Sequence, residues 1–415
     1  MYGANEIAID GDPEKDVRYI RITDIDDHGN LRNGDWKTAN KINEKYALDR
    51  NDILFARSGA TAGKAFIHKR EDGEAIFAGY LIRFRFDETR VNPFFVFYYT
   101  LLSQYRLWVQ IIQRPSGQPN INSREFKAFE IPLPPPSIQN HIVTIMKSAY
   151  AQKKQKEQEA DALLDLIDDY VLTELGIEMP KVEEKRCFVV YASETSGLRT
   201  DPFYYQTHYK AIQNILSQSR NVKRLGELLQ LVDSGSRPKG GVANIQSGVL
   251  SFGGEHINNQ CEVDINTPRY IPHEFHSLHK TTETQFNDLL LVKDGATTGK
   301  IGIVSDTAHV GQNINEHLFL LRAKDNVNPI YLLNYLNSCF GQLQIQREIT
   351  GATVTGITRD VVKRLKVMLP DIGKQTEIVS HITEIRSNAK QLQQEADAIV
   401  ETAKERVEQM LLTEA

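Results

Sequence analysis

Three glycine–lysine pairs, one Asp-Pro-Phe-Tyr tetrapeptide and one run of three histidines are the places where this sequence could do chemistry. The pairs are Gly63-Lys64, Gly299-Lys300 and Gly373-Lys374. A phosphate-cradling P-loop needs a glycine five residues before its second glycine and a Ser or Thr after the lysine. The earlier positions hold Ser58, Asp294 and Met368, and no Ser or Thr follows any of the lysines. Asp201-Pro-Phe-Tyr204 has Phe where the Asp-Pro-Pro-Tyr motif of amino-methyltransferases has its second proline, and no glycine-rich cofactor loop precedes it. A plain turn is the better reading. His273-Glu-Phe-His276-Ser-Leu-His279 would place three imidazoles on one helical face, which suits a metal. No cysteine or second acidic ligand lies nearby, and a solvated surface segment is the competing reading. No Ser/His/Asp arrangement emerges from sequence order alone. The chain reads as non-catalytic, with no metal or cofactor of its own.

The elements that would have to position such groups occur twice. Asn51-Asp-Ile-Leu-Phe-Ala-Arg-Ser-Gly-Ala-Thr-Ala-Gly-Lys64 matches Asn287-Asp-Leu-Leu-Leu-Val-Lys-Asp-Gly-Ala-Thr-Thr-Gly-Lys300 at an offset of 236. The same offset relates Val91-Asn-Pro93 to Val327-Asn-Pro329, Leu133-Pro134 to Leu369-Pro370, and Gln139 to Gln375. An offset held over so many residues marks an internal duplication. In the first copy, residues 19–25, 52–57, 65–68 and 80–86 read as strands, and 94–112 as a helix with proline at its first turn. A polar loop at 114–122 leads into Phe129-Glu-Ile-Pro-Leu-Pro-Pro-Pro136; the second copy repeats this order with a loop at 351–356. This is an α+β unit used twice. Only the second copy carries a leading section, residues 200–232, which the first is expected to lack.

Proline has a fixed φ and no amide hydrogen, so residues 132–136 end any strand or helix, and Ser137 is placed to cap a new helix. Ile138, Ile142, Ile145, Ala149, Leu163, Leu166 and Tyr170 then hold a 4–3 spacing, with Gln152, Lys156 and Glu159 in its middle. The second copy is cleaner: Ile378, Ile382, Ile385, Ala389, Leu392, Ala396, Ile399, Ala403 and Met410, interrupted by Arg406. At 1.5 Å per residue such helices run ~55 Å, too far to be buried on one globular domain. The simplest partner for each is the other, in a coiled coil; closure between two chains fits the spacing too.

Composition bounds the rest. A chain of 415 residues, 40% of them apolar, has room for two cores. Cys187, Cys261 and Cys339 are far apart, which suits a reducing, cytoplasmic setting, and no apolar run is long enough to span a bilayer. The net charge of −5 hides its distribution. Lys+Arg minus Asp+Glu gives 0 for residues 1–136, −4 for 137–185, +3 for 186–370 and −4 for 371–415. The excess acid lies on the helices and the linker after the first, which leaves the globular parts free to meet a polyanion.

The Asn-Asp-Ile-Leu … Ser-Gly-Ala-Thr-Ala-Gly-Lys strand and turn, the Asn-Pro-started helix and the Ile-Pro-Leu-Pro-Pro-Pro-Ser-Ile-Gln-Asn-His-Ile-Val step, all duplicated, resemble the specificity subunit of type I restriction–modification enzymes. The likeness covers nearly the whole chain; Gln-Asn-His-Ile-Val stands where that family commonly has Glu-Gln before the isoleucine. The resemblance implies two similar target recognition domains, each followed by a long helix, the two helices forming an antiparallel coiled-coil spacer. The expected division is domain one at 1–136, spacer helix one at 137–178, a linker at 179–199, domain two at 200–371 and spacer helix two at 372–415. It also implies double-stranded DNA as the ligand, two docked methyltransferase subunits, restriction/translocase subunits reached through them, and no membrane. S-adenosylmethionine, ATP and Mg would be held by those partners only. Adenine-N6 methylation and ATP-dependent cleavage would belong to the complex and not to this chain.

DNA readers must reach base edges or phosphates from polar loops. On that reading the expected contacts are Arg114, Gln118, Asn120, Asn122 and Arg124 in the first unit. In the second they are Arg237, Lys239, Gln312, Asn313, Thr353 and Thr355; the bland reading of each is a solvated loop residue. Lys64 and Lys300, after duplicated glycine turns, fit a phosphate contact and plain turn chemistry equally. A helix pair of ~55 Å is the scale needed to hold apart two readers separated by one ~34 Å turn of B-DNA. Two other readings remain: a coiled-coil scaffold that binds only protein, which does not need two α+β domains, and a single-chain restriction–methyltransferase, which the missing motifs disfavour.

Overall fold

The computed structural model describes residues 1–32, 34–113, 119–180, 187–195, 199–351 and 355–413. The chain divides into two compact units, one of residues 1–159 with 391–415 and the other of residues 160–390.

In the first unit a central strand β1 (Ile53–Ala56) lies between β2 (Ala65–Ile67) and β3 (Leu81–Phe84), antiparallel to both, with Phe55 opposite Ala65 and Ile82. All four β1 residues are buried, which is why the run is continuously apolar. Asn51 enters it with φ 69°, a left-handed conformation that asparagine tolerates. Asp52, 2% exposed, accepts from Arg85 Nε at 2.8 Å. Helix α1 (Pro93–Tyr99) starts at a proline behind an Asn92 side-chain cap and buries Phe95, Val96 and Phe97 in one core with Ile53 and Phe55. The single helix expected at 94–112 is broken after α1: the chain turns at residues 100–102 and α2 (Ser103–Ile112) follows as a separate helix. The turn after β1 lies against α2, where a Cβ on Gly63 would come within 2.6 Å of Val109. The strand expected at 19–25 is strand only at Arg18–Ile20; Ile22–Asp24 is a single tight helical turn, with Asp24 Oδ2 accepting from the Arg21 amide at 2.8 Å. Helices α3 (Ser123–Ala128) and α4 (Pro136–Glu174) complete the copy.

The second unit repeats this frame. Its leading section gives a short turn at Pro202–Tyr205, α5 (Thr207–Gln218) and a strand at Val222–Arg224 that pairs with Lys366–Met368. Strand β4 (Leu229–Ser234) then joins the sheet β6-β5-β7-β4, where β5 is Leu289–Val292, β6 Ile301–Ile303 and β7 Leu318–Ala323. Asn287 again has φ 69°, Asp288 is 1% exposed and paired with Arg322 at 2.7 Å, and a Cβ on Gly299 would come within 3.0 Å of Ile345. Helices α6 (Pro329–Asn337), α7 (Cys339–Glu348), α8 (Arg359–Arg364) and α9 (Ile372–Thr413) come after it.

One glutamine per copy ties the long helix to the globular part. Gln139 Oε1 accepts the Asn92 amide at 2.8 Å while Nε2 donates to the Pro134 carbonyl at 2.8 Å. Gln375 does the same with Asn328 and the Pro370 carbonyl, both at 2.9 Å. Each is 1% exposed.

The long helices pair antiparallel. In the first unit Lys153 of α4 meets Asp397 of α9 and Lys156 meets Glu395. In the second unit the Tyr170 and His381 rings lie 4.3 Å apart and Lys374 pairs with Glu174. Advancing along α4 therefore means retreating along α9. The buried stripe of α4 holds Ile142 and Ala149 as expected, but it continues through Lys153 and Ala160, with Met146 buried beside Ile145 and Leu166 54% exposed. Apolar spacing misses this part of the stripe because it counts Lys153 as a surface residue. The Lys153 stem lies in the seam and its ammonium reaches Asp397 and Glu157. Burial alone would lower the Lys153 pKa, but those hydrogen bonds leave it raised.

Two outcomes are expected. Gln139→Ala and Gln375→Ala each strand a buried amide and a buried carbonyl and should cost about 1–3 kcal/mol in urea denaturation. Lys153→Met should change stability by less than about 1 kcal/mol, because Asp397 and Glu157 stay solvated when the cation is removed. Lys153→Glu, which gathers three carboxylates, should lower the melting temperature clearly.

Candidate nucleic-acid interface

Each sheet has one end where polar loops converge, built the same way in both units. In the first, the chain leaving β1 at Arg57 takes the Ile121 amide at 2.8 Å, and the Gly59 amide donates to the Pro119 carbonyl at 3.0 Å. The Arg57 amide also donates to the Tyr80 carbonyl at 3.0 Å. In the second, Lys293 takes the Ile357 amide at 2.8 Å, the Gly295 amide donates to Thr355 at 3.0 Å, and the Lys293 amide to His317 at 2.9 Å. The strand-end turn, the start of the neighbouring strand and the loop before α3 or α8 are thus joined by the same backbone bonds in both units. The side chains there differ between the copies: Arg57/Lys293, Ser58/Asp294, Gly79/Glu316, Tyr80/His317 and Asn120/Gly356.

The two ends have different chemistry. The first presents the Arg57 guanidinium 5.0 Å from the centre of the Tyr2 ring, with Tyr80 61% exposed and Asn120 exposed beside them. The second holds a cleft of about 170 Å³ lined by Arg237, Glu255, Arg269, Asn315, Glu316 and His317. Arg237 pairs with Glu316 at 3.0 Å, and His317 lies between Asp294 and Glu316. Lys293 Nζ donates to Ser234 at 3.0 Å. Arginine and asparagine match guanine and adenine edges, and carboxylates accept from the cytosine amino group.

The residues singled out from sequence divide. Asn120 and Thr355 lie in the convergent loops; Arg124 is exposed on α3, and Lys239 and Arg237 are exposed beyond β4. Arg114, Gln118 and Thr353 lie outside the described residues. Asn122 is a helix cap, its side-chain oxygen accepting from Arg124 at 2.8 Å and Glu125 at 3.1 Å. Gln312 Oε1 accepts the Leu250 amide at 2.9 Å. Asn313 must be corrected: it is 1% exposed, accepts from Thr282 at 2.7 Å and donates to the His279 carbonyl at 3.1 Å, so it cannot reach a ligand. The glycine-turn lysines are held by other loops of their own unit. Lys64 pairs with Asp27 at 2.6 Å, a hydrogen bond that lowers the Asp27 pKa, and Lys300 donates to the Ile257 carbonyl. Sequence reading passes over Arg57, Tyr80, Glu316 and His317. The signal that finds them is divergence between two copies at positions whose flanks match.

The other tempting motifs have structural work. Asp201 caps a turn at the Tyr204 amide, 3.2 Å away. His276 is buried against Asn313 and Glu283, His279 Nδ1 bonds to the Phe275 carbonyl at 2.8 Å, and no metal-binding group of three ligands occurs among the described residues. Among the described residues no helix is long and apolar enough to cross a membrane.

Comparison with known proteins finds one family along both copies. The family model described as type I restriction modification DNA specificity domain matches residues 12–163 and again 218–400. The specificity subunit of the type I restriction enzyme MjaVIII from Methanocaldococcus jannaschii is 21% identical over 396 residues, covering 92% of this chain and 83% of that protein. The StySPI specificity subunit from Salmonella potsdam is 24% identical over 159 residues, 37% of this chain and 34% of that one. A solved HsdS subunit from Thermoanaerobacter tengcongensis aligns over 99% of this chain and 93% of its own at 16% identity, TM-score 0.36. The S subunit of M. genitalium aligns over 95% and 89% at 14% identity, TM-score 0.43. With the family matched in both copies, the chain belongs to the type I restriction–modification DNA specificity family, as a DNA-recognition subunit with two recognition domains.

Proposed function

We propose that each unit reads one half of a split, asymmetric DNA target through its convergent loop end. The chain itself performs no chemistry; it directs, in the cytoplasm, adenine methylation and ATP-dependent cleavage by two methyltransferase subunits and the restriction subunits they bring. S-adenosylmethionine, ATP and Mg belong to those partners. The observation that supports this reading best is the contrast within the duplication. The frame is kept (Asn51/Asn287, Asp52/Asp288, Gly63/Gly299, Gln139/Gln375), while the ends differ at Gly79/Glu316 and Tyr80/His317. A scaffold that bound one protein twice would have no reason to diverge there. Two readers of different half-sites must.

Replacing residues 200–371 with those of a related subunit should change one half of the methylated motif and leave the other intact, as read by methylome sequencing. A finer test uses competition binding by the assembled complex. Glu316→Gln with His317→Ala should relax discrimination at one half-site by about 1–3 kcal/mol per lost base contact. Tyr80→Ala with Arg57→Ala should act on the other half-site alone.

A further inference from the structure

The cleft of the second unit holds one carboxylate whose hydrogen-bonding capacity is half used. Glu316 sits in the turn that enters β7, and the backbone on either side of it is fixed. The Asn315 amide donates to the Phe252 carbonyl at 2.8 Å, the Asn315 side chain accepts the His317 amide at 2.9 Å, and the His317 carbonyl accepts from Lys293 at 2.9 Å. The Glu316 side chain is held at one oxygen only. Oε1 takes Arg237 Nε at 3.0 Å, with His317 Nε2 3.5 Å away. Oε2 is shielded from solvent and meets no donor among the described residues.

A carboxylate that serves the fold looks different in this same unit. Asp288 fills both of its oxygens. Oδ1 accepts from Arg322 Nε at 2.8 Å, and Oδ2 from Arg322 Nη2 at 2.7 Å and the Gln285 amide at 2.6 Å. Such completeness is the rule, because a shielded acceptor without a donor costs stability. Glu316 departs from it at a position where the first unit has Gly79, so nothing in the duplicated frame requires a carboxylate there. Its one partner is also easily parted from it, since the Arg237 side chain is 58% exposed.

One base edge supplies what this carboxylate lacks. Guanine and thymine turn acceptors toward the major groove, and a carboxylate is repelled by them. Adenine offers its N6 amino group beside the N7 acceptor, so the second carboxylate oxygen would face a lone pair. Cytosine offers its N4 amino group with no acceptor beside it, and the guanine paired to it presents O6 and N7, which match a guanidinium. The cleft carries both charges for such a pair, with Arg237 and Arg269 lining it beside Glu316. We propose, resting on the reading of the convergent loop ends as DNA readers, that Glu316 determines the specificity of the second unit by accepting from the N4 amino group of a cytosine. Arg237 leaves the carboxylate and donates to the paired guanine. The terminal torsion of a glutamate is broad, so the released carboxylate turns an oxygen to the base without moving its backbone.

The test is competition binding by the assembled complex to a duplex carrying its methylated motif, after exchange of residues 200–371 has assigned one half of that motif to the second unit. That half is expected to contain a C·G pair. At each such pair in turn, cytosine is replaced by 2-pyrimidinone, which lacks the amino group. At one pair the replacement should weaken binding of the natural chain by about tenfold and of Glu316→Ala by less than about twofold. Glu316→Gln gives a second readout, because an amide accepts from adenine N6 and donates to N7. It should raise affinity for adenine relative to cytosine at that position by about tenfold. Circular dichroism and unchanged discrimination in the other half-site check that both variants are folded. A half without a C·G pair, equal weakening of the natural chain and Glu316→Ala, or no gain for adenine overturns the proposal while leaving the two-reader model intact. An exchange that leaves the motif unaltered overturns both.

Discussion

The side-chain amides of Gln139 and Gln375 tie the start of α1 or α6 to the proline step and long helix 47 residues later in the chain. Each joins the amide opening α1 or α6, the carbonyl of the proline step, and the first turn of the long helix. Prolines remove the N–H groups that would have anchored the step in a sheet, so its carbonyls need a donor from elsewhere. The partner must also accept from a helix-starting N–H a few ångströms away, in a site shielded from water. A primary amide offers both functions without charge on two separate atoms, and glutamine has the reach that asparagine lacks. With the clamp in place the helix direction is set by the globular part, and every later residue of the seam inherits that setting.

The same economy of means separates frame from reader. The turn after β1 or β5 is shaped by backbone bonds, by an asparagine in the left-handed region and by a glycine pressed on the next helix. None of these constrains Tyr80, 61% exposed, or the half-exposed side chain of His317. A mutation at such a position changes what is presented to a ligand and leaves the fold alone. The buried carboxylates of Asp52 and Asp288, paired with Arg85 and Arg322, sit at the opposite end of the same strands, where the copies agree. Losing the arginine there would strip a buried carboxylate of its nearest cation, which costs more than a loop exchange.

The duplicated frame was legible because glycine, asparagine and proline report backbone geometry directly, and an offset of 236 multiplies each report by two. Helix α4 was legible for the same reason, through its proline step. The break between α1 and α2 was not, since residues 100–102 are apolar or carry no helix-breaking residue; tertiary packing decides it. Periodicity placed Ile142 and Ala149 in the α4 stripe but missed its continuation, because a lysine stem can be buried while its head reaches an exposed carboxylate, as at Lys153. Asn313 shows the commonest error in choosing a reader by residue type. An amide that can bond a base edge bonds a neighbouring threonine and carbonyl equally well. Exposure and fold position, which single-sequence reading lacks, separate the two.

A near-neutral recognition domain is also less paradoxical than its charge suggests. In the second cleft Arg237 and Glu316 already hold each other, on side chains that are 58% and 27% exposed. Such a pair is worth about 0–1 kcal/mol, whereas a good bidentate contact with the right base pair discriminates by about 1–3 kcal/mol. If Arg237 meets DNA as proposed, a correct base edge would displace the internal partner, and a wrong one would leave the pair closed over its own charges. Free arginines would bind any phosphate in reach and would raise affinity for every sequence alike. Arginines held by neighbouring carboxylates trade that general affinity for selectivity. The unselective attraction to DNA then has to come from elsewhere in the assembly, which fits a subunit that carries no excess of positive charge.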